Sequence, residues 1–171
     1  GLSAILFALP IIFQQANHIS AFIAGTYLLP MTIAMAFNPI LTGKIVSKIG
    51  PRVPMVIGFT LACIGTLIMM DFGTHSSYIW TGVSLFITGI GISLTIPSLM
   101  TAVITSTKKE QTGISSGGLN SIRQIGSVLG VAIVGLFGNH SFVSDIHYFL
   151  LTICIVFIIG AILSFLFISK N

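Results

Sequence analysis

Polar residues punctuate this chain rather than alternate along it. Apolar runs of about twenty residues recur between short polar clusters, a length that matches a hydrocarbon core of roughly 30 Å crossed by a helix. Six such runs can be marked, at about 1–16, 21–42, 53–70, 79–104, 112–138 and 147–168. None carries the polar face that a soluble bundle would show to water. A chain of this size could not bury six such runs in one soluble core, so the pattern predicts an all-α, polytopic membrane protein of six transmembrane helices.

Composition agrees: 54% of the residues are hydrophobic and 6% charged, over 171 residues. The formal net charge of +4 would suggest nucleic acid in a soluble chain, but the charges lie between the spans, so no nucleic-acid partner is expected and the lipid bilayer is. Cys63 and Cys154 fall inside spans and are expected as free, buried thiols. The chain opens on glycine with no basic stretch ahead of its first apolar run, unlike a signal peptide; we expect a piece of something longer, its first helix trimmed.

Charge placement sets a topology. Lys44, Lys48 and Arg52 lie between the second and third spans, Lys108 and Lys109 between the fourth and fifth, and Lys170 after the sixth. The alternate connections hold no Lys or Arg and carry Asp71, Asp145 and all four histidines, His18, His75, His140 and His147. Lys/Arg bias toward cytoplasmic loops therefore places loops 43–52 and 105–111 and the C-terminus in the cytoplasm of a multi-pass plasma-membrane protein. The histidines have no metal-ligand spacing and read as solvated loop residues, so no metal site and no cofactor are expected.

Pro10, Pro30, Pro39 and Pro97 fall within spans, where each removes a backbone donor and bends its helix. Glycines recur at packing spacing: Gly58 and Gly65 share a face, and Gly126-x-x-x-Gly130 and Gly113-x-x-x-Gly117 follow the small-residue pattern of closely approaching membrane helices. On the fifth span, Ser116, Asn120, Ser127, Gly126 and Gly130 share a face with Arg123, the one cation at membrane depth. It stands about eleven residues into the span, roughly 16 Å along the axis. An intramembrane arginine marks a pathway or a pairing, so Arg123 and Asn120 are candidates for cavity or gate. Gln14, Gln15 and Asn38 are the other candidates, with Asn38 beside Pro39 equally suited to bonding its own backbone. No carboxylate or histidine falls within a span, so protons would travel elsewhere. No nucleophile, base or metal cluster suggests an enzyme.

Two segments carry a resemblance. "GKIVSKIGPR", residues 43–52, resembles the loop between the second and third helices of each half of major facilitator superfamily transporters. Gly43, Ile45, Lys48, Gly50 and Arg52 match its pattern in type; Ser47 stands where the pattern has Asp and Pro51 where it has Arg, a degenerate form usual in the second half. An Asp-based relay in this loop is therefore not implied. Two glycines suit a tight turn, and Lys44, Lys48 and Arg52 suit the capping of helix C-termini. "GISSGGLNSIRQIGSVLGVAIVG", residues 113–135, resembles the penultimate helix of the fourteen-span drug–proton antiporters of EmrB/QacA type, matching at Gly118, Asn120, Arg123, Gln124, Gly126, Gly130, Ala132 and Gly135. "ALPIIFQQ" (8–15) and "AGTYLLP" (24–30) also resemble that family.

The resemblance implies the C-terminal six-helix bundle, 1–171, of a two-bundle transporter working by alternating access. Its N-terminal half, with the proton-carrying acids, would lie outside this chain. The implied cargo is a lipophilic or cationic small molecule. A facilitator carrying a defined metabolite, and a non-transporting six-span partner protein, are the other readings.

Overall fold

The computed structural model describes residues 2–17, 20–70, 78–137 and 142–168. Its elements are α1 (Leu2–Asn17), α2 (Ala21–Thr26), α3 (Leu29–Ile49), α4 (Arg52–Met70), α5 (Tyr78–Thr105), α6 (Thr112–Phe137) and α7 (Phe142–Phe167), with a 3-10 turn at Lys109–Gln111. No strand occurs among the described residues. Four stretches are long and apolar enough to cross a membrane: Ala21–Ile49, Arg52–Met70, Ile79–Thr105 and Ile146–Phe167. Leu2–Gln14 is a shorter apolar helix. Helix α6 has the length, 26 residues, but its first half is diluted by glycine, serine, Asn120, Arg123 and Gln124.

Three boundaries differ from expectation, each for a local reason. The expected span 21–42 is two helices in near-continuity, because Pro30 has no N–H to return to Thr26 and the chain turns at Tyr27–Leu28. Tyr27 N–H reaches Ile23 O at 3.2 Å and Leu28 N–H reaches Gly25 O at 3.1 Å, which tightens the break. At the other end α3 continues to Ile49, so the expected loop 43–52 shrinks to Gly50 and Pro51. Gly43 is a helical residue with open space around it and makes no turn. Helix α7 starts at Phe142, so Asp145 and His147 belong to its first two turns. His18, His75 and His140 lie outside the described residues, as do Asp71 and Lys170.

Gly50 ends α3 with φ 78° and ψ 171°, a region essentially closed to residues with a Cβ. Its N–H bonds Val46 O at 2.9 Å, and Pro51 then blocks any continuation. Gly50→Ala is expected to cost roughly 1–3 kcal/mol, read as an earlier midpoint in thermal unfolding of the purified protein.

Helix α5 is the spine, with α3 along one side and α4 along another; α4 also carries α7, and α1 rests mainly on α6. The α4–α5 seam is made by small residues. A Cβ on Gly91 would stand 2.4 Å from Ala62 N and 2.5 Å from Gly58 O, and one on Gly58 would stand 2.7 Å from Gly91 O. On the other side of α5, a Cβ on Gly89 would stand 2.7 Å from Met31 O of α3. Backbone therefore touches backbone, the source of helix affinity where lipid offers no hydrophobic gain. Gly58 and Gly65 thus share the face expected of them, and it faces α5. The core is completed by Ile5, Leu9, Ile12 and Phe13 of α1, Met31 of α3, Leu85 of α5 and Leu150 of α7.

Buried hydroxyls cost nothing unpaired here. Thr66 donates to Ala62 O, Thr88 to Ser84 O (both 2.8 Å) and Ser98 to Leu94 O (2.6 Å), each one turn back on its own helix. Outside, Phe22, Phe37, Ile40, Ile79 and Phe167 are exposed, an apolar exterior that suits acyl chains rather than water. The two cysteines are free and buried where α4 meets α7, each thiol near the other's carbonyl, Cys63 Sγ to Cys154 O at 3.9 Å and Cys154 Sγ to Cys63 O at 3.8 Å.

Candidate functional site

Most glycines of α6 lack the close packing seen at α4–α5. Gly113, Gly117 and Gly126 would place a Cβ in open space, so Gly126 does not carry the helix packing expected of it within this chain. Gly130 is half-buried beside Ala4, Phe149 and Ile153 at a void of about 40 Å³. At Gly126 the reason is geometric: it lies on the side of α6 that also bears Asn120 and Arg123, and there it borders a cavity rather than a helix.

That cavity has a volume of about 540 Å³ and is open on one side. Helix α6 supplies Asn120, Arg123, Gln124, Gly126 and Ser127; α5 supplies Ile92, Thr95, Ile96 and Leu99. The remaining wall is Leu2 and Ser3 of α1, Phe59 of α4, and Val156 and Phe157 of α7. A turn of 3.6 residues stacks positions 120, 123, 124 and 127 on one side of α6, so local helical geometry alone gathers the polar group. The Ser3 and Ser127 hydroxyls meet at 2.5 Å and tie α1 to α6 at the rim. Thr95 spends its proton on Ile92 O, 2.7 Å away. Phe59 and Phe157 lie with ring centroids 6.4 Å apart, forming an aromatic wall.

Among the described residues Arg123 is the one charged residue lining the cavity. Among the described residues it makes no hydrogen bond or ion pair. A guanidinium with five donors therefore stands exposed at the edge of a space walled by apolar and polar side chains.

The other sequence candidates lie apart from this group. Asn38 donates across to α5, to Ser93 Oγ at 2.6 Å and Ile90 O at 3.3 Å, so its amide ties α3 to α5 rather than bonding its own helix. Gln14 donates to Pro10 O at 3.1 Å, within α1. The side chain of Gln15 lies outside the described residues. Neither Gln14 nor Asn38 lines the cavity.

The loop-motif cations gather at one end of the bundle. Lys44 and Lys48 stand on the last turns of α3, and Arg52 opens α4. Arg52 donates to Phe165 O, in the last turn of α7, and its guanidinium lies 4.5 Å from the centroid of the Phe165 ring. A cation at a helix C-terminus meets both an orphan carbonyl and the negative end of the dipole. Arg52→Ala is expected to loosen this junction by roughly 1 kcal/mol, read as a lower thermal midpoint that Arg52→Lys does not fully restore.

Sequence reasoning missed Gln124, Thr95, Phe59 and Phe157 as cavity residues. Gln124 had a signal, adjacency to Arg123 on a polar turn. The other three stand on three different helices, and no pattern along the chain brings them together.

The Major Facilitator Superfamily profile matches residues 1–171, the whole chain. The multidrug resistance protein Stp of Mycobacterium tuberculosis is 34% identical over 122 residues, 71% of this chain and 22% of that protein. The methylenomycin A resistance protein of Bacillus subtilis is 26% identical over 132 residues, 77% of this chain and 28% of that protein. The multidrug transporter MdtP of Bacillus subtilis is 27% identical over 139 residues, 81% of this chain and 26% of that protein. This chain thus spans between a fifth and a third of the length of these relatives. With an all-helical, apolar-surfaced bundle matched along its whole length, this chain belongs to the major facilitator superfamily.

Proposed function

We propose that this chain is the C-terminal six-helix half, 1–171, of a proton-driven multidrug efflux antiporter that works by alternating access. The observation that carries this reading is the cavity beside Arg123: it stands partway along the helices, is open on one side, and is built from five of them. A secondary transporter closes such a site between two repeats. The short share of each relative that the chain covers supports a second half supplied by the rest of the protein, and the relatives' names support drug efflux. The cargo is a lipophilic small molecule, and protons pass through acids of the other half.

The protein lies in the plasma membrane with the basic end of the bundle in the cytoplasm. Arg52 on Phe165 supports this arrangement, since it brings the α3–α4 junction and the end of α7 to the same side. The test is accumulation of a neutral lipophilic dye, Nile red, in cells with and without the native gene. The reading predicts lower accumulation with the gene and loss of that difference when a protonophore collapses the gradient. Equal accumulation in both strains would contradict it.

A further inference from the structure

We infer that the cavity beside Arg123 selects an amphiphile with an anionic oxygen head, a carboxylate or sulfonate on an aromatic or aliphatic body; this deepens the reading of the cavity as a cargo site and rests on it. The charged group presented to the space carries donors only. Arg123 offers its guanidinium fork, and Asn120 and Gln124 can each turn an amide NH₂ toward the same point. The hydroxyls have less to give: Thr95 is committed to Ile92 O, and Ser3 and Ser127 to each other.

Among the described residues no acid balances this charge, for Glu110 does not line the cavity. Glu110 belongs to the 3-10 turn between α5 and α6, at the basic end. A cationic head placed against Arg123 meets an uncompensated like charge, whereas a carboxylate meets a bidentate partner.

Apolar and aromatic side chains supply the rest of the wall, with Phe59 and Phe157 facing the ligand body. The volume, about 540 Å³, is in the range of small-molecule sites, roughly 300–1,000 Å³. The observations together describe a site with one charged end and one greasy end.

The test is equilibrium binding to the purified native gene product in phosphatidylcholine nanodiscs, with three probes that share one body: 4-(pyren-1-yl)butyrate, the matching pyrenylbutyl trimethylammonium, and pyrenylbutanol. The butyrate is expected to bind at least about tenfold more tightly than the alcohol, the scale of a charge-assisted pair. Arg123→Ala should erase that preference and Arg123→Lys should keep part of it, while all three proteins stay monodisperse with the same thermal midpoint, which shows the bundle still formed. The inference is overturned if the ammonium probe binds as tightly as the butyrate, or if the preference survives Arg123→Ala, as it would were Arg123 already paired with an acid from another part of the protein. It is overturned also if the preference vanishes when a third of the lipid is phosphatidylglycerol, which would assign the site to a lipid headgroup. Its failure is separable from that of the efflux reading: Nile red export without any butyrate preference sinks this inference alone, and butyrate preference without export sinks only the efflux reading.

Discussion

Gly91→Ala is expected to be the most damaging small substitution in the bundle. The added Cβ would meet Ala62 N at 2.4 Å, Gly58 O at 2.5 Å and Ala62 Cα at 2.9 Å. All three are backbone atoms of α4, so no rotamer change relieves the contact; the helices must move apart along the seam. Overpacking of this kind costs typically 1–3 kcal/mol, and a contact with backbone alone belongs at or above the upper end. Separation also opens the neighbouring contacts of Gly58 and Gly65, which depend on the same interaxial distance. The check is the yield of monodisperse protein and its thermal midpoint, with Gly126→Ala as the comparison. A Cβ at Gly126 meets nothing within 4 Å, and alanine is favoured over glycine in a helix by roughly 1 kcal/mol. Gly126→Ala should therefore leave the midpoint unchanged or raise it. Equal losses in both variants would contradict the packing described.

Arg123→Ala is expected to abolish efflux and resistance while protein abundance persists. The side chain makes no hydrogen bond or ion pair among the described residues, so its removal takes little from the bundle, within about 0.5 kcal/mol as for other exposed positions. What it removes is the one charge that the described residues bring to the cavity. Loss of a charge-assisted contact alone is worth about tenfold or more, and losing the pairing that orients cargo compounds it. Drug susceptibility and immunoblotting on the same cultures read both quantities. Unchanged resistance at equal abundance would remove Arg123 from the mechanism; loss of the protein would make it a structural residue.

Helix type and order were legible because apolar run length is a property of the chain alone, and so was the small, polar face of α6. What was not legible follows from contacts that no local pattern contains. The expected loop 43–52 ended the second span where its apolar run thins, yet backbone hydrogen bonding does not stop at Lys44, and α3 runs until Gly50 and Pro51 interrupt it. The break before Pro30 falls at Tyr27 and Leu28 because proline acts on the carbonyl four residues earlier. The Gly126-x-x-x-Gly130 motif promised a packed helix pair, but spacing names a face and not its neighbour; the backbone contacts formed instead where Gly58, Gly65 and Gly91 met across α4 and α5. Asn38 seemed free to meet cargo or its own helix until α5 brought Ser93 within reach. The cavity itself joins residues from five helices, and of the candidates with described side chains Arg123 and Asn120 line it while Gln14 and Asn38 do not.

The central claim, that these helices are one half of a transporter whose site is completed by another, is tested most directly by the size of the native gene product. An immunoblot against a C-terminal tag on the chromosomal copy would read it. The account predicts a single product well over twice the length of this chain, as its share of the relatives implies. A product of 171 residues would contradict it, leaving a stand-alone bundle with half a site.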